Sequence, residues 1–157
     1  MEQPIKEFTI SRVFDAPQEV VWNAWMDPKL VQQWWGPRGV TNPTCEWDPK
    51  PGGKIRIVML AGKELGEAAG QKWPMNGVFK EVTPKTRLVF ASSASDDVVG
   101  LVLETMVTVN LTPVGNKTKI DVRFAVTKAN QKAEFAIKGA EMGWNSQMDK
   151  LGEMLGG

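Results

Sequence analysis

Arg12, Cys45, Glu46, Asp48, Glu104 and Thr105 are the side chains whose types and positions offer chemistry in this 157-residue chain. Glu46 and Asp48 stand two apart on an extended segment, so both project to one side, as a carboxylate pair does in acid–base or metal work. The turn formed by Pro49-Lys50-Pro51-Gly52-Gly53 beside them equally describes a solvated strand end. Cys45 is the only cysteine, which excludes an intrachain disulfide and a multi-cysteine zinc site. Its thiol becomes a nucleophile only where something lowers its pKa; otherwise it is a small strand residue. Gly52-Gly53-Lys54 lacks the earlier glycine and the Ser/Thr of a phosphate-binding loop. The chain has no histidine, which removes the commonest general base, nucleophile partner and metal ligand together. Tyrosine is absent too, whereas tryptophan occurs seven times, so the aromatic surface suits apolar contact better than proton transfer. Arg12, Glu104 and Thr105 remain as polar groups for lining a cavity, with Arg12 also readable as a paired or snorkelling arginine at a strand end. They form no recognisable catalytic set, and no cofactor is expected.

The elements that must position these groups begin with Lys6 to Phe14, where Phe8, Ile10 and Phe14 share one parity and predict a strand with one buried face. Asp15-Ala16-Pro17 predicts a helix start with an Asp cap, and Asp27-Pro28 a second short helix that stops at Gly36-Pro37. Trp22, Trp25, Trp34 and Trp35 fall within this helical pair, as core residues or as the wall of a pocket. Strands are predicted at Thr44 to Asp48, Lys54 to Ala61, Asn76 to Thr83, Arg87 to Ser93, Leu101 to Thr112 and Lys117 to Val126, with a polar, Gly-rich loop at Gly62 to Lys72. From Asn130 to Leu155, apolar residues at Ala133, Ile137, Ala140, Trp144, Met148, Leu151 and Leu155 make one stripe of a long helix, with Asn130 as its cap. Gly139, Gly143 and Gly152 in it predict close approach of another element, or room beside the Trp144 ring. One strand, two short helices, about six strands and a long amphipathic helix imply an α+β domain whose curved antiparallel sheet wraps the final helix. The whole chain, 1–157, reads as one domain.

A formal charge of +1 without a basic, aromatic-interleaved patch argues against nucleic acid. Met1-Glu2-Gln3-Pro4 lacks the pattern of a signal peptide and no apolar run reaches a bilayer span, so a cytoplasmic protein without membrane contact is expected.

The segments Arg12 to Pro17, Val21-Trp22, Asp27-Pro28, Trp34-Trp35-Gly36-Pro37, Pro51-Gly52-Gly53, Gly77 to Glu81 with Pro84, Arg87 to Phe90, and Gly143-Trp144 with Leu151 together form one pattern. That pattern resembles the homologues of the heat-shock-protein-90 ATPase activator, in the START-like (SRPBCC) superfamily of helix-grip folds. The resemblance implies a sheet of about six or seven strands gripping the C-terminal helix, over a cavity that in related families holds lipids, polyketides or other apolar molecules. It leaves a chaperone or a second copy of the chain as macromolecular partners. Relatives that cyclise or hydrolyse substrates in the cavity generally use His, Tyr, Arg or acidic groups there, and this chain lacks the first two.

The expectation from residues and resemblance together is non-catalytic binding of a small apolar or aromatic molecule between sheet and helix. Trp25, Trp34, Trp35, Met59, Trp73, Met75, Phe90 and Trp144 are the expected walls, with Thr105 as a polar handle. The alternatives are a protein-interaction module and a cyclase- or hydrolase-like enzyme built around Arg12 and Glu104.

Overall fold

Period-two alternation of apolar residues dominates the chain, and the computed structural model, which describes residues 6–96 and 101–155, folds those stretches into one antiparallel sheet. Its strands are β1 (Lys6–Phe14), β2 (Val40–Trp47), β3 (Lys54–Ala61), β4 (Lys72–Thr83), β5 (Arg87–Asp96), β6 (Leu101–Val114) and β7 (Lys117–Ala129), in the spatial order β1-β7-β6-β5-β4-β3-β2. Two short helices, α1 (Gln18–Met26) and α2 (Pro28–Trp34), follow β1, and a long helix, α3 (Glu134–Met154), follows β7. Antiparallel neighbours need only tight turns, so consecutive strands from β2 to β7 pair in sequence and β1 closes onto β7.

Register lines up the inward side chains. Phe8, Phe124, Val107, Phe90 and Phe79 are successive cross-strand partners and form one apolar row over five strands. The adjacent row, read from Ile55 through Gly77, Ser92, Thr105 and Val126 to Lys6, is much thinner. Gly77 is required there: a Cβ would lie 2.3 Å from the carbonyl oxygen of Ala91.

α2 starts as its residues dictate. The Asp27 side chain accepts a hydrogen bond from the Lys29 amide at 2.9 Å, and Pro28 occupies the first turn, where an amide hydrogen would have no partner. α1 differs from expectation: Pro17, not Asp15, holds the cap position, and the Pro17 carbonyl accepts from the Val20 and Val21 amides. Two indoles close the other end. Pro28 has no N–H to offer the Ala24 carbonyl, and the Lys29 amide is taken by Asp27, so the last carbonyls of α1 lack helical donors. The Trp34 Nε1–H donates to Ala24 at 2.9 Å and the Trp47 Nε1–H to Trp25 at 2.6 Å.

α3 also starts later than its stripe suggests. Residues Gln131–Ala133 form a 3-10 turn, with Ala133 fully buried, and the helix begins at Glu134 without a side-chain cap. Trp144, Met148 and Leu151 are buried, while Ile137 and Ala140 pack half-buried against the core. Gly139 and Gly143 do not mark a close approach by any described residue, since a Cβ at either would meet nothing within 4 Å among them. The Gly62 to Lys72 loop holds 3-10 turns over Lys63–Ala68, broken at Gly66 (φ 59°), and the Leu65 side chain rests on Gly39. β2 starts four residues earlier than its composition predicts, with a register break between Thr41 and Thr44 around Pro43. Among the described residues no helix is long and apolar enough to cross a membrane.

Candidate functional site

α3 enters from Ala129 and runs back across the inner face of the sheet. Its position is fixed at two levels. Trp144 packs 6.1 Å from Phe124 and 5.6 Å from Trp35, placing it over the aromatic row. One turn further on, Arg12 Nη1 donates to Asp149 Oδ1 at 2.6 Å and Nη2 to Asn145 Oδ1 at 2.8 Å. Arg12 lies toward the β1 end that pairs with Ile120, so the N-terminal turns of α3, with Ala140 and Ile137, reach toward the Thr105 row.

The expected wall residues divide between two environments. Trp25, Trp34, Trp35, Phe90 and Trp144 are buried and connected ring to ring, with centroid separations of 4.6 Å for Trp25–Trp34, 5.8 Å for Trp34–Trp35 and 6.2 Å for Trp35–Phe90. Trp47 and Phe79, which sequence reasoning did not select, complete that cluster. Met59, Trp73 and Met75 lie at the other end of the inner face and are half-buried, as are Ser92, Ala94 and Leu103. Met59 and Trp73 are direct cross-strand partners, and Met75 pairs with Ile57. That end of the inner face is thus only partly withdrawn from solvent, while the opposite end is closed by aromatic packing.

Thr105 lies between the two environments, 5% exposed, and its hydroxyl is hydrogen-bonded to the hydroxyl of Ser92 on the neighbouring strand. Two hydroxyls carry two hydrogens, and their mutual bond uses one. Ser92 follows Phe90 at inward parity, which was the signal in the sequence for this second hydroxyl.

The groups considered for catalysis do not converge. Arg12 is held by α3, as its paired reading predicts, and Glu104 faces outward opposite in parity to Thr105, 3.7 Å from the Lys128 ammonium. Glu46 and Asp48 are exposed on their strand end, with Lys50 3.6 Å from Asp48. Burial pushes the Cys45 thiol above its usual pKa, opposite to what a nucleophile needs. Among the described residues no cluster of His, Cys, Asp and Glu has the makings of a metal site.

A shallow groove of about 280 Å³ opens outside the grip, floored by Phe14, Met148 and Gly152 and rimmed by Arg12, Arg38, Asp149 and Glu153. Arg12–Asp149 and Arg38–Glu153 ion pairs cross-neutralise that rim. Beside it, the Trp35-Gly36 bend is tied to α3: the Gly36 amide donates to Gln147 Oε1 at 2.7 Å, and Lys150 Nζ donates to the carbonyls of Trp35 and Gly36 at 3.3 and 3.2 Å. Burial, aided by nearby Arg38, lowers the pKa of that ammonium.

A curved seven-stranded antiparallel sheet around a C-terminal helix, with two short helices after the first strand, defines a helix-grip α+β domain. The chain belongs to the family described as Activator of Hsp90 ATPase homolog 1-like protein, whose model matches residues 15–156. Solved structures share the fold. Protein CV1439 from Chromobacterium violaceum superimposes with a TM-score of 0.80 at 23% identity, covering 95% of this chain and 96% of its own. The AHSA1 protein from Silicibacter pomeroyi gives 0.76 at 24% identity, covering 96% and 97%. A protein from Arthrobacter aurescens gives 0.77 at 26% identity, covering 95% and 85%. No curated protein matches the chain.

Proposed function

We infer that this protein binds a small, largely apolar molecule on the inner face of the sheet beneath the N-terminal turns of α3. The observation that carries the reading is the contrast along that face: packed aromatic rings at one end, and half-buried Met59, Trp73, Met75 and Leu103 around small residues at the other. Thioethers and an indole edge suit an apolar or aromatic ligand, because Met adapts its shape and offers a polarisable surface. Trp144, Trp35 and Phe90 then serve as the rigid back wall, with Trp25 and Trp34 supporting them from behind.

The test is native mass spectrometry of freshly purified protein before and after organic extraction, followed by titration of tryptophan fluorescence with any species released. A small molecule lost on extraction that returns on titration supports the reading; a bare chain that responds to no aromatic probe refutes it.

A second reading, action on a chaperone, is supported by the family description. It predicts a change in the ATPase rate of Hsp90 when the chain is added, and an unchanged rate counts against it.

A further inference from the structure

We propose that the Ser92–Thr105 hydroxyl pair selects the ligand: a neutral molecule presenting a hydrogen-bond acceptor, such as an aryl ketone, ester or quinone oxygen, on an otherwise apolar body. The proposal rests on the binding reading above and adds to it the polar chemistry of the occupant. Three observations support it.

The first is an unused donor. The two hydroxyls bond to each other, which consumes one hydrogen, and the remaining hydroxyl hydrogen finds no protein acceptor among the described residues. Thr105 is 5% exposed and Ser92 half-buried, so the unmet donor of the pair, on whichever hydroxyl it falls, is withdrawn from much of its water, and a ligand oxygen would complete it. The second is the small size of the neighbouring side chains in the sheet. The pair stands in the thin row between Gly77 and Val126, where glycine is enforced by the Ala91 carbonyl and the next inward positions are Ala94 and Leu103. No large side chain of that row covers the hydroxyls. The third is charge. Among the inward side chains described on β3 to β7, none at this end is ionised. The nearest charge on the row is Lys6, beyond Val126 and so two strand spacings, roughly 10 Å, from Thr105. An anion or cation seated at the hydroxyls would lose its hydration without an opposite charge among those described strand side chains.

A hydroxyl pair also discriminates sharply. An acceptor-bearing ligand completes the donor, whereas a hydrocarbon of the same shape leaves it unmet. The experiment uses naphthalene, acetonaphthone, naphthoate and naphthylmethylammonium as probes, titrated by tryptophan fluorescence and calorimetry into the wild type and a Ser92→Ala/Thr105→Val double variant. Both substitutions keep near-native volume, and the naphthalene affinity reports whether the site has survived them. Acetonaphthone is expected to bind about fivefold more tightly than naphthalene in the wild type, with both charged probes weaker than naphthalene. The double variant is expected to lose that fivefold preference and hold naphthalene as before. Equal affinity for ketone and hydrocarbon in the wild type, or a preference that persists in the double variant, overturns the hydroxyl assignment and leaves the binding reading standing. A tightest-binding naphthoate whose advantage disappears in Lys6→Met overturns it in favour of an anion held at the sheet edge. Failure of all four probes to bind overturns both readings.

Discussion

The indole nitrogens do different work in different places, and this has measurable consequences. Trp34 and Trp47 each donate to a carbonyl that Pro28 and the Asp27 cap leave without a helical partner, whereas the Trp25 Nε1–H has no acceptor among the described residues. Replacing each by Phe removes similar ring area, so the difference lies in the hydrogen bond. Trp34→Phe and Trp47→Phe should each cost about 1 kcal/mol more than Trp25→Phe in urea unfolding, because they orphan a buried carbonyl while Trp25→Phe removes an orphaned donor. Equal losses at the three positions would show that the indole caps contribute nothing. Truncation is harsher: Trp34→Ala should cost about 3–5 kcal/mol. Cys45 offers a second check, since burial holds its thiol protonated above the usual range. Alkylation by iodoacetamide at pH 8 should be slower in native protein than in urea, and equal rates would contradict a half-buried thiol with a raised pKa.

At the level of elements, α3 carries sites where sequence and packing disagree. Gly139 and Gly143 weaken the helix without giving space to any described neighbour, as a Cβ at either meets nothing within 4 Å among the described residues. Gly139→Ala and Gly143→Ala should therefore stabilise the protein by about 0.5–1 kcal/mol each in chemical denaturation, and destabilisation would reveal a contact that this geometry lacks. Lys150 anchors the Trp35-Gly36 bend to the same helix with a lowered pKa. A lysine whose pKa is lower folded than unfolded is the better-protonated group in the unfolded chain. Its contribution to stability therefore rises with pH between the folded pKa and the unfolded value of about 10.4. Relative to Lys150→Met, the wild type should gain stability on going from about pH 8 to pH 10.4, read by denaturant midpoints; a fall would reverse the assigned sign.

Across the whole molecule, the order of strands and helices followed from periodicity and punctuation, because one-faced strands, the Asp27-Pro28 cap and the stripe ending at Leu155 are all local signals. The resemblance carried by the Trp34-Trp35-Gly36-Pro37 segment and its companions agreed with that order, and the family match followed. What composition could not separate was wall from core. Trp25, Trp34 and Trp73 are the same residue type, yet two are sealed in ring-to-ring contact and the third stands half-buried across from Met59. That distinction depends on where α3 crosses the sheet, which is set by Trp144 against Trp35 and by Arg12 with Asp149, contacts that span more than a hundred residues of chain. Ser92 illustrates the same point at one position: its parity was legible, but its bond to Thr105 arises only from the β5–β6 register.

Occupation of the half-buried end of the grip by a small apolar ligand can be read by methyl NMR of methionine-labelled protein. Eight methionines report on the molecule, with Met59 and Met75 at the proposed mouth, Met148 at the floor of the outer groove and Met142, 79% exposed, on the solvent side of α3. Titration with acetonaphthone should shift the Met59 and Met75 methyl resonances saturably and leave Met142 and Met148 in place. Saturable shifts confined to Met148, or no shift at any methionine, would contradict it.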